Sequence, residues 1–289
     1  MTLHTIENDF LRLAVSPNGA EARHLCTVDD NREWLWQADP EFWPRTAPVL
    51  FPVVGKLAEN QFFHHGHPYP LSQHGFARDR VFEIRSTYPE TLDCFLRSDY
   101  ETWKFYPFDF ELSIRYQLED NLLKIRYQVR NCSDQMLPFS IGAHPGFALP
   151  DFPEKKWFLE FEKDESLNPQ LLENGLLKPE KGNAIPLNQK RLPLDLHLFD
   201  QDALVFEKLQ SGWVGLGQEG GPVLLKVHAT GFPWYGIWSK PGAPFVCLEP
   251  WYGHADPPGP SAEILQKPGI ILLKPKEMFE CHYAIEIIR

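Results

Sequence analysis

Apolar and polar residues alternate with a two-residue period in the central part of the chain. In residues 108–118 every second side chain is apolar and the side chains between them are charged or polar. The same alternation resumes in residues 123–129, after the turn-forming Glu119, Asp120 and Asn121. Because successive side chains of a strand point to opposite faces of a sheet, the pattern predicts an antiparallel hairpin with one buried face.

Shorter β-type runs recur from end to end of the chain. They lie at residues 11–15, 34–37, 93–97, 157–161, 203–207, 223–228, 234–239, 245–248 and 278–288. Many of the 27 prolines and 19 glycines fall between these runs, where they favour turns. Only brief helices are expected, one of them near residues 101–106. With no repeat period of about 20 to 50 residues, the sequence predicts an all-β fold, a large antiparallel β-sandwich or barrel.

Composition narrows the class of protein. The chain has 289 residues, 43% of them hydrophobic and 23% charged, which is typical of a globular protein with a large core. A β-sandwich can use this length as one domain, and no Ser/Gly-rich or charge-rich linker divides the sequence. The sequence therefore predicts a single domain over residues 1–289.

The charge balance bears on the partners. There are 28 basic and 39 acidic residues, giving a formal net charge of −11, and no run of lysines and arginines interrupts this acidity. Such a surface repels phosphate backbones, which argues against nucleic acids and anionic membranes as partners. Residues 1–9 lack a basic and an apolar segment, and no stretch approaches the roughly 18 apolar residues of a membrane span. A soluble, cytoplasmic protein is expected.

The five cysteines are scattered and show no paired short spacing. They are Cys26, Cys94, Cys132, Cys247 and Cys281. Reduced thiols that serve mostly as small core residues fit this pattern best. The histidines are not arranged in close pairs either, so the sequence predicts no metal site, although ligands that converge only in space escape such a search.

Three segments place proton-transfer groups beside turn formers and aromatic residues. His74 lies in residues 73–78, His144 in 142–147 and Glu249 in 247–253. Histidine exchanges a proton near neutral pH, and a carboxylate gains basicity when it is partly desolvated. Two histidines and a carboxylate in such surroundings suggest acid–base chemistry on a sugar.

Together with residues 45–56 and 198–204, these segments resemble the aldose 1-epimerase (galactose mutarotase) superfamily, and within it the LacX-like branch. The likeness spans essentially the whole chain and depends on the order and spacing of the motifs. It implies a galactose mutarotase-like β-supersandwich with an active site on its concave sheet. The implied activity is the interconversion of the α and β anomers of a free hexose without a cofactor.

The resemblance also implies roles for individual residues. His144 would be the general acid on the ring oxygen, and Glu249 the general base on the anomeric hydroxyl. The ring would open to an aldehyde, C1 would turn, and the ring would close on its other face. His74 and Arg78 match positions that hold sugar hydroxyls or polarise the ring oxygen. The alternative role of Arg78 is a surface ion pair with Asp79 or Glu83.

Four further residues complete the predicted sugar site. Asp202 matches an aspartate that accepts hydrogen bonds from sugar hydroxyls, although Asp200 lies only two residues away and could take its place. Lys56 departs from the Gly-Arg pattern of many relatives, and either binds substrate without bidentate recognition or is a solvated loop charge. Trp238 and Trp251 flank Glu249 and are the aromatic residues best placed to contact a sugar, whereas most others should fill the core.

Three other functions remain open from the residues. A mutarotase for hexose 6-phosphates could use Arg45, Lys56 and Arg78 as an anion site. A sugar-binding or sensing module could have lost turnover, since fold does not dictate function. Asp202 and Glu249 could form a glycosidase carboxylate pair, which ranks last because the histidines have no necessary role there. In each case the partner is a small-molecule sugar, and the protein is a monomer or homodimer.

Overall fold

The computed structural model describes residues 2–288, apart from the side chains of residues 86 and 87. Strands dominate this part of the chain, and every strand pairing in its sheets is antiparallel. The prediction of an all-β antiparallel fold with a few short helices is confirmed. No helix within residues 2–288 has the length and apolar character needed to cross a bilayer.

The strands are numbered in chain order. They are β1 (His4–Glu7), β2 (Leu11–Ser16), β3 (Glu21–Thr27), β4 (Val49–Leu50), β5 (Gln61–His64), β6 (His67–Pro70), β7 (Glu83–Tyr88), β8 (Thr91–Arg97), β9 (Phe110–Glu119), β10 (Leu122–Asn131), β11 (Leu137–Phe139), β12 (Ile141–Ala143), β13 (Gly146–Ala148), β14 (Trp157–Phe161), β15 (Gln170–Glu173), β16 (Leu176–Lys181), β17 (Arg191–Leu194), β18 (Leu204–Glu207), β19 (Trp213–Gln218), β20 (Val223–His228), β21 (Trp234–Trp238), β22 (Phe245–Tyr252), β23 (Ile271–Leu273) and β24 (Met278–Ile287). The helical segments are α1 (Tyr100–Trp103) and three 3₁₀ turns, Ala58–Asn60, Ala77–Asp79 and Ile264–Gln266.

Two large sheets build the sandwich. The first has nine strands in the order β17-β14-β19-β20-β24-β10-β9-β8-β7. The second has eight strands in the order β16-β15-β18-β21-β22-β12-β4, with β13 also paired to β22. The remaining described strands form one three-stranded and two two-stranded sheets. In the nine-stranded sheet β24 lies between β20 and β10, so the last strand of the chain fills the middle of that sheet.

The central hairpin follows the predicted alternation. β9 and β10 pair so that Leu118 faces Leu123 and Tyr116 faces Ile125. The apolar side chains of both strands are buried and the polar ones between them are only partly so. The hairpin prediction is confirmed, with β9 beginning two residues later than the pattern indicates.

Strand β22 is buried on both of its faces, which distinguishes it from the hairpin. Val246 and Leu248 pack into the main core between the sheets. Cys247 and Trp251 belong to two smaller clusters on the opposite side. Because alternate residues of a strand share a face, Glu249 lies on that second side, between Cys247 and Trp251.

Two glycines make room for the indole of Trp251. A Cβ atom at Gly236 would lie 2.5 Å from the Trp251 ring, and one at Gly142 would lie 2.6 Å from it. Gly236 is in β21 and Gly142 in β12, the strands on either side of β22. The ring therefore lies across three strands, and neither glycine can carry a side chain while the ring keeps this position.

One sequence-based assignment needs correction, and another is shifted in its bounds. Residues 34–37, predicted as a strand, form one isolated bridge, Leu35 with Phe147, flanked by hydrogen bonds from Trp36 N–H to the Gly146 carbonyl and from Ala148 N–H to the Trp34 carbonyl. On the other side, Glu33 Oε1 accepts hydrogen bonds from the backbone N–H groups of residues 25, 34 and 35. The helix predicted near residues 101–106 is the single turn α1.

A buried ion pair holds the segment that follows β22. Lys267 Nζ lies 2.9 Å from Asp256 Oδ1 and also donates to the carbonyl oxygen of His254 at 2.7 Å. The backbone N–H of Ala58 donates to Asp256 Oδ2 at 3.0 Å. Through these bonds the segment after β22 is held against the residues that follow Lys56.

We expect Lys267→Met to lower the free energy of unfolding by about 3–5 kcal/mol, because it leaves the Asp256 carboxylate buried without its cation. Urea denaturation followed by circular dichroism measures the loss. Lys274→Met is the matched control, since Lys274 pairs with Glu277 at an exposed position; there we expect a change below about 1 kcal/mol. Equal effects of the two substitutions would contradict a structural role for the buried pair.

Candidate active site

A cavity of about 610 Å³ opens on the face of the eight-stranded sheet that carries Glu249. Its volume suits a small-molecule ligand, because such sites commonly occupy about 300–1,000 Å³. Every residue predicted from the sequence to form the site lines this cavity: Lys56, His74, Arg78, His144, Asp202, Trp238, Glu249 and Trp251. The fold thus brings together residues that lie nearly 200 positions apart in the chain.

Strand register places His144 opposite Glu249. Gly142 of β12 pairs with Trp251, and Gly146 of β13 pairs with Cys247, so the residue midway between the two glycines faces the residue midway along the partner segment. His144 Nε2 lies 3.2 Å from Glu249 Oε2. Both side chains are buried, with 8% of His144 and 1% of Glu249 exposed. A base and an acid are therefore held in contact on the cavity floor.

Burial opposes charge on both members of this pair. It lowers the pKa of His144 to about 3, because the imidazolium form is poorly solvated there. It raises the pKa of Glu249 well above the usual carboxyl range, and the nearby Asp202 carboxylate adds to the rise. Both shifts favour a neutral imidazole beside a carboxylic acid.

Trp43 covers the His144 ring and is a site residue that the sequence analysis missed. The two rings stack with centroids 4.8 Å apart and an interplanar angle of 28°. Trp43 also stacks on Phe245 at 5.5 Å, and its carbonyl oxygen accepts a hydrogen bond from Trp36 Nε1. The tryptophan-rich segment around residues 34–43 was the available signal, but aromatic residues are more often core than site.

Backbone geometry fixes His74. The residue has a positive φ of 66°, and its Nδ1 accepts a hydrogen bond from the N–H of Gly55 at 3.1 Å. A neutral imidazole that accepts at Nδ1 carries its proton on Nε2. Burial lowers the pKa of His74 well below its usual value, and His144 and Arg78 lower it further. His74 is thus a neutral ring with Nε2–H as its donor, and it meets His144 edge-on at 5.7 Å.

Arg78 gives one wall of the cavity a positive charge. Its Nη2 donates to the carbonyl oxygen of Gln73 at 2.6 Å, and the buried Nε has no hydrogen-bond partner within the described residues. Asp79 lies 3.9 Å away but bonds more closely to Arg45, at 2.8 Å. Burial, followed by the charge of Arg45, lowers the pKa of Arg78 to about 10. The ion pair with Asp79 is thus a long one, and Arg78 also lines the cavity.

Lys56 and Asp202 approach the cavity from loops. Lys56 Nζ donates to the carbonyl oxygen of Asn174, in the turn between β15 and β16, at 3.0 Å. Asp202 lies just before β18 and lines the cavity, whereas Asp200 contacts His197 at 2.9 Å and is not among the lining residues. The geometry therefore favours Asp202 over Asp200 as the residue that faces a ligand.

The two predicted tryptophans differ in position. Trp238 meets His144 edge-on, with centroids 5.7 Å apart, and packs against Trp43 in the same way at 5.6 Å. Trp251 lies beyond Glu249 on the same strand and is 6% exposed. The described lining also includes His254, which the sequence analysis did not single out and whose Nδ1 lies 2.7 Å from the Ala255 carbonyl oxygen.

Comparison with known proteins identifies the family. The family model described as aldose 1-epimerase matches residues 2–210 of the chain. The chain belongs to the aldose 1-epimerase family. Protein LacX of Lactococcus lactis subsp. lactis is 30% identical over 295 residues, which cover 98% of this chain and 98% of LacX. The resemblance seen in the motifs is thereby confirmed.

Solved structures of this family share the fold. A galactose mutarotase related enzyme from Lactobacillus acidophilus superposes with a TM-score of 0.93 at 33% identity, covering 100% of this chain and 98% of that one. A galactose mutarotase-like protein from Lactobacillus casei ATCC 334 also gives 0.93, at 28% identity, with 99% and 100% covered. The predicted galactose mutarotase-like sandwich is therefore confirmed.

We expect Trp43→Ala to raise the pKa of His144 from about 3 toward its ordinary value, because removing the indole exposes one face of the imidazole to water. NMR titration of the His144 ring protons measures the change. Trp103→Ala is the control, since Trp103 is exposed and does not line the cavity. A pKa of His144 that stays unchanged in folded Trp43→Ala would show that the indole does not control its solvation.

Proposed function

We propose that this member of the aldose 1-epimerase family is a mutarotase that interconverts the α and β anomers of a free hexose. The observation that supports it best is the buried contact between His144 and Glu249 on the floor of a sugar-sized cavity. Mutarotation needs only one acid and one base, and requires no cofactor. The proposal includes a soluble sugar as the partner and a cytoplasmic monomer or homodimer.

The proposed reaction moves two protons. Glu249, as general base, takes the proton of the C1 hydroxyl while His144, as general acid, protonates the ring oxygen. The bond between C1 and the ring oxygen breaks, and an open-chain aldehyde forms. After rotation about the bond between C1 and C2, the hydroxyl group that formed from the ring oxygen attacks the other face of the aldehyde. The same two groups return the protons in exchanged roles, so the enzyme ends as it began.

In this mechanism, sugar binding has to move the proton from Glu249 to His144. Burial by the protein alone favours a protonated Glu249 and a neutral His144, which is the reverse of the state that starts this reaction. A hydrogen bond from the anomeric hydroxyl to Glu249 stabilises the carboxylate and lowers the pKa of Glu249. We infer that the bound sugar itself moves the proton to His144, which prepares both groups for the first step.

The other lining residues would hold and orient the sugar. His74, with its Nε2–H donor, and Arg78, with an unpaired Nε, can donate to ring or hydroxyl oxygens. Asp202 can accept from hydroxyl groups. Trp238 and Trp251 offer apolar faces for the C–H side of the ring. Lys56 is less available to bind the sugar, because its ammonium group already donates a hydrogen bond to the β15–β16 turn.

A specific observation favours a second candidate, a hexose 6-phosphate. Arg45 is not among the residues that line the cavity, but it lies close enough to lower the pKa of Arg78 and of His74. Arg78 and Arg45 together could balance a phosphate. If so, glucose 6-phosphate would be turned over faster than glucose, and Arg78→Gln would reduce turnover of the phosphate ester more than turnover of the free sugar.

We expect His144→Asn and Glu249→Gln each to reduce turnover by roughly 10²–10⁴-fold, because each removes one proton-transfer group. Polarimetry of freshly dissolved α-D-glucose and α-D-galactose measures the approach to anomeric equilibrium. His228→Asn and Glu286→Gln are matched controls, since those residues form a histidine–carboxylate contact of 2.8 Å outside this cavity. Sugar binding at unchanged affinity with no turnover in any variant or wild type would instead support the non-catalytic sensing module.

The pH profile offers a separate test. Because the Asp202 carboxylate contributes to the raised pKa of Glu249, Asp202→Asn should lower that pKa. The competent pair carries one proton, which burial places on Glu249. That proton is lost as pH rises through the pKa of Glu249, so the alkaline limb of kcat/KM should move to lower pH in this variant. Asp200→Asn should leave the limb in place. An alkaline limb that does not move in Asp202→Asn would count against Glu249 as a member of the acid–base pair.

A further inference from the structure

A thiol lies close to the acid–base pair, just outside the residues that line the cavity. Cys247 precedes Glu249 by two residues in β22, and its strand partner in β21 is Trp238. Paired residues of neighbouring strands point to the same face, and Trp238 lines the cavity, so the Cys247 side chain points to the cavity side of the sheet. Cys247 is fully buried there, in the cluster that includes Trp36 and Phe245.

Three different donor atoms converge at this point. An imidazole nitrogen of His144, Sγ of Cys247 and a carboxylate oxygen of Glu249 all lie within 4.8 Å of one another. Glu249 Oε2 accepts no hydrogen bond of ordinary geometry from the described residues, although only 1% of the residue is exposed. Nitrogen, sulfur and carboxylate oxygen are the three donor types that bind Zn²⁺ in proteins.

We propose that His144, Cys247 and Glu249 form a binding site for a thiophilic divalent cation such as Zn²⁺, with the fourth position open to the cavity. Donors bound tetrahedrally to zinc are about 3.3–3.6 Å apart, so the side chains must draw together by about an ångström. The cavity provides the entry path, since His144 and Glu249 both line it.

Binding exchanges protons for the metal. The Cys247 thiol and, where it is protonated, the Glu249 carboxyl group release their protons to solvent, and His144 binds through an unprotonated nitrogen. The occupied site leaves neither His144 nor Glu249 free for proton transfer. This consequence depends on the proposed function: in a mutarotase the cation is an inhibitor that competes with the sugar. The binding itself depends only on the three side chains.

Co²⁺ and Zn²⁺ alone are the probes. Co²⁺ added to the wild-type protein should produce a near-ultraviolet charge-transfer band from thiolate to metal, and Zn²⁺ should displace it. Cys247→Ala should abolish the band and raise the Zn²⁺ concentration needed for half-inhibition by roughly 10–100-fold or more, since even an outer partner of a metal ligand contributes that much. Cys247 is outside the proposed proton-transfer machinery, so the variant should keep its turnover in metal-free buffer.

Controls separate this site from other thiols. Cys26→Ala tests a partly exposed thiol that contacts Glu33, and Cys281→Ala a buried thiol in β24; both variants should keep the band. If Cys247→Ala does not fold, His144→Asn should weaken Co²⁺ binding to a similar degree.

Each outcome bears on one proposal at a time. A band that persists in Cys247→Ala, or that disappears in Cys26→Ala, would overturn the metal site. A wild-type protein that turns over sugars and binds no Co²⁺ would do the same while leaving the mutarotase proposal intact. A band without turnover of any sugar would support the metal site and count against the mutarotase.

Discussion

Desolvation of His144 and Glu249 is the physical constraint on which the proposed chemistry depends. The two side chains touch on a floor that is closed beneath by the main core, because β22 is buried on both of its faces. Trp43 stacks on the imidazole. Neither group can be charged there without cost, so burial favours a neutral imidazole and a proton held on Glu249. In the proposed mechanism, the hydrogen bond of a sugar hydroxyl to Glu249 moves that proton to His144.

The all-β fold could be predicted from the sequence because the hairpin β9–β10 has one solvent-facing and one buried face, and so shows a two-residue period. The full length of β22 could not be predicted, because both of its faces are buried and the two-residue period disappears. Residues 34–37 have the composition of a strand, yet only Leu35 forms a bridge, and the Glu33 side chain accepts hydrogen bonds from the backbone of residues 34 and 35. The contact of Glu33 depends on how the chain folds around β3, and the local sequence does not predict this.

Much the same distinction applies to the site. His74, His144 and Glu249 stand in motifs that resemble the aldose 1-epimerase superfamily, and that resemblance is what predicted their convergence. Trp43 could not be selected, since its position in the site arises from stacking on His144, which is about 100 residues away in sequence. Cys247 likewise gave no signal, because its proximity to His144 appears only when β13 pairs with β22. The choice between Asp202 and Asp200 likewise needed the loop before β18, which turns one carboxylate to the cavity and the other to His197.

The position of β24 has a consequence for how the protein is made. A ribosome synthesises β7 to β10 early and β14, β17, β19 and β20 later, so two partial sheets exist before the strand that joins them. Until β24 emerges, β10 and β20 each present an unpaired edge, and such edges attract other extended chains. Premature termination or slow release near this strand would therefore leave a nascent chain with two unpaired sheet edges that can pair with other chains. Chaperone protection of the newly made chain should matter most at that moment.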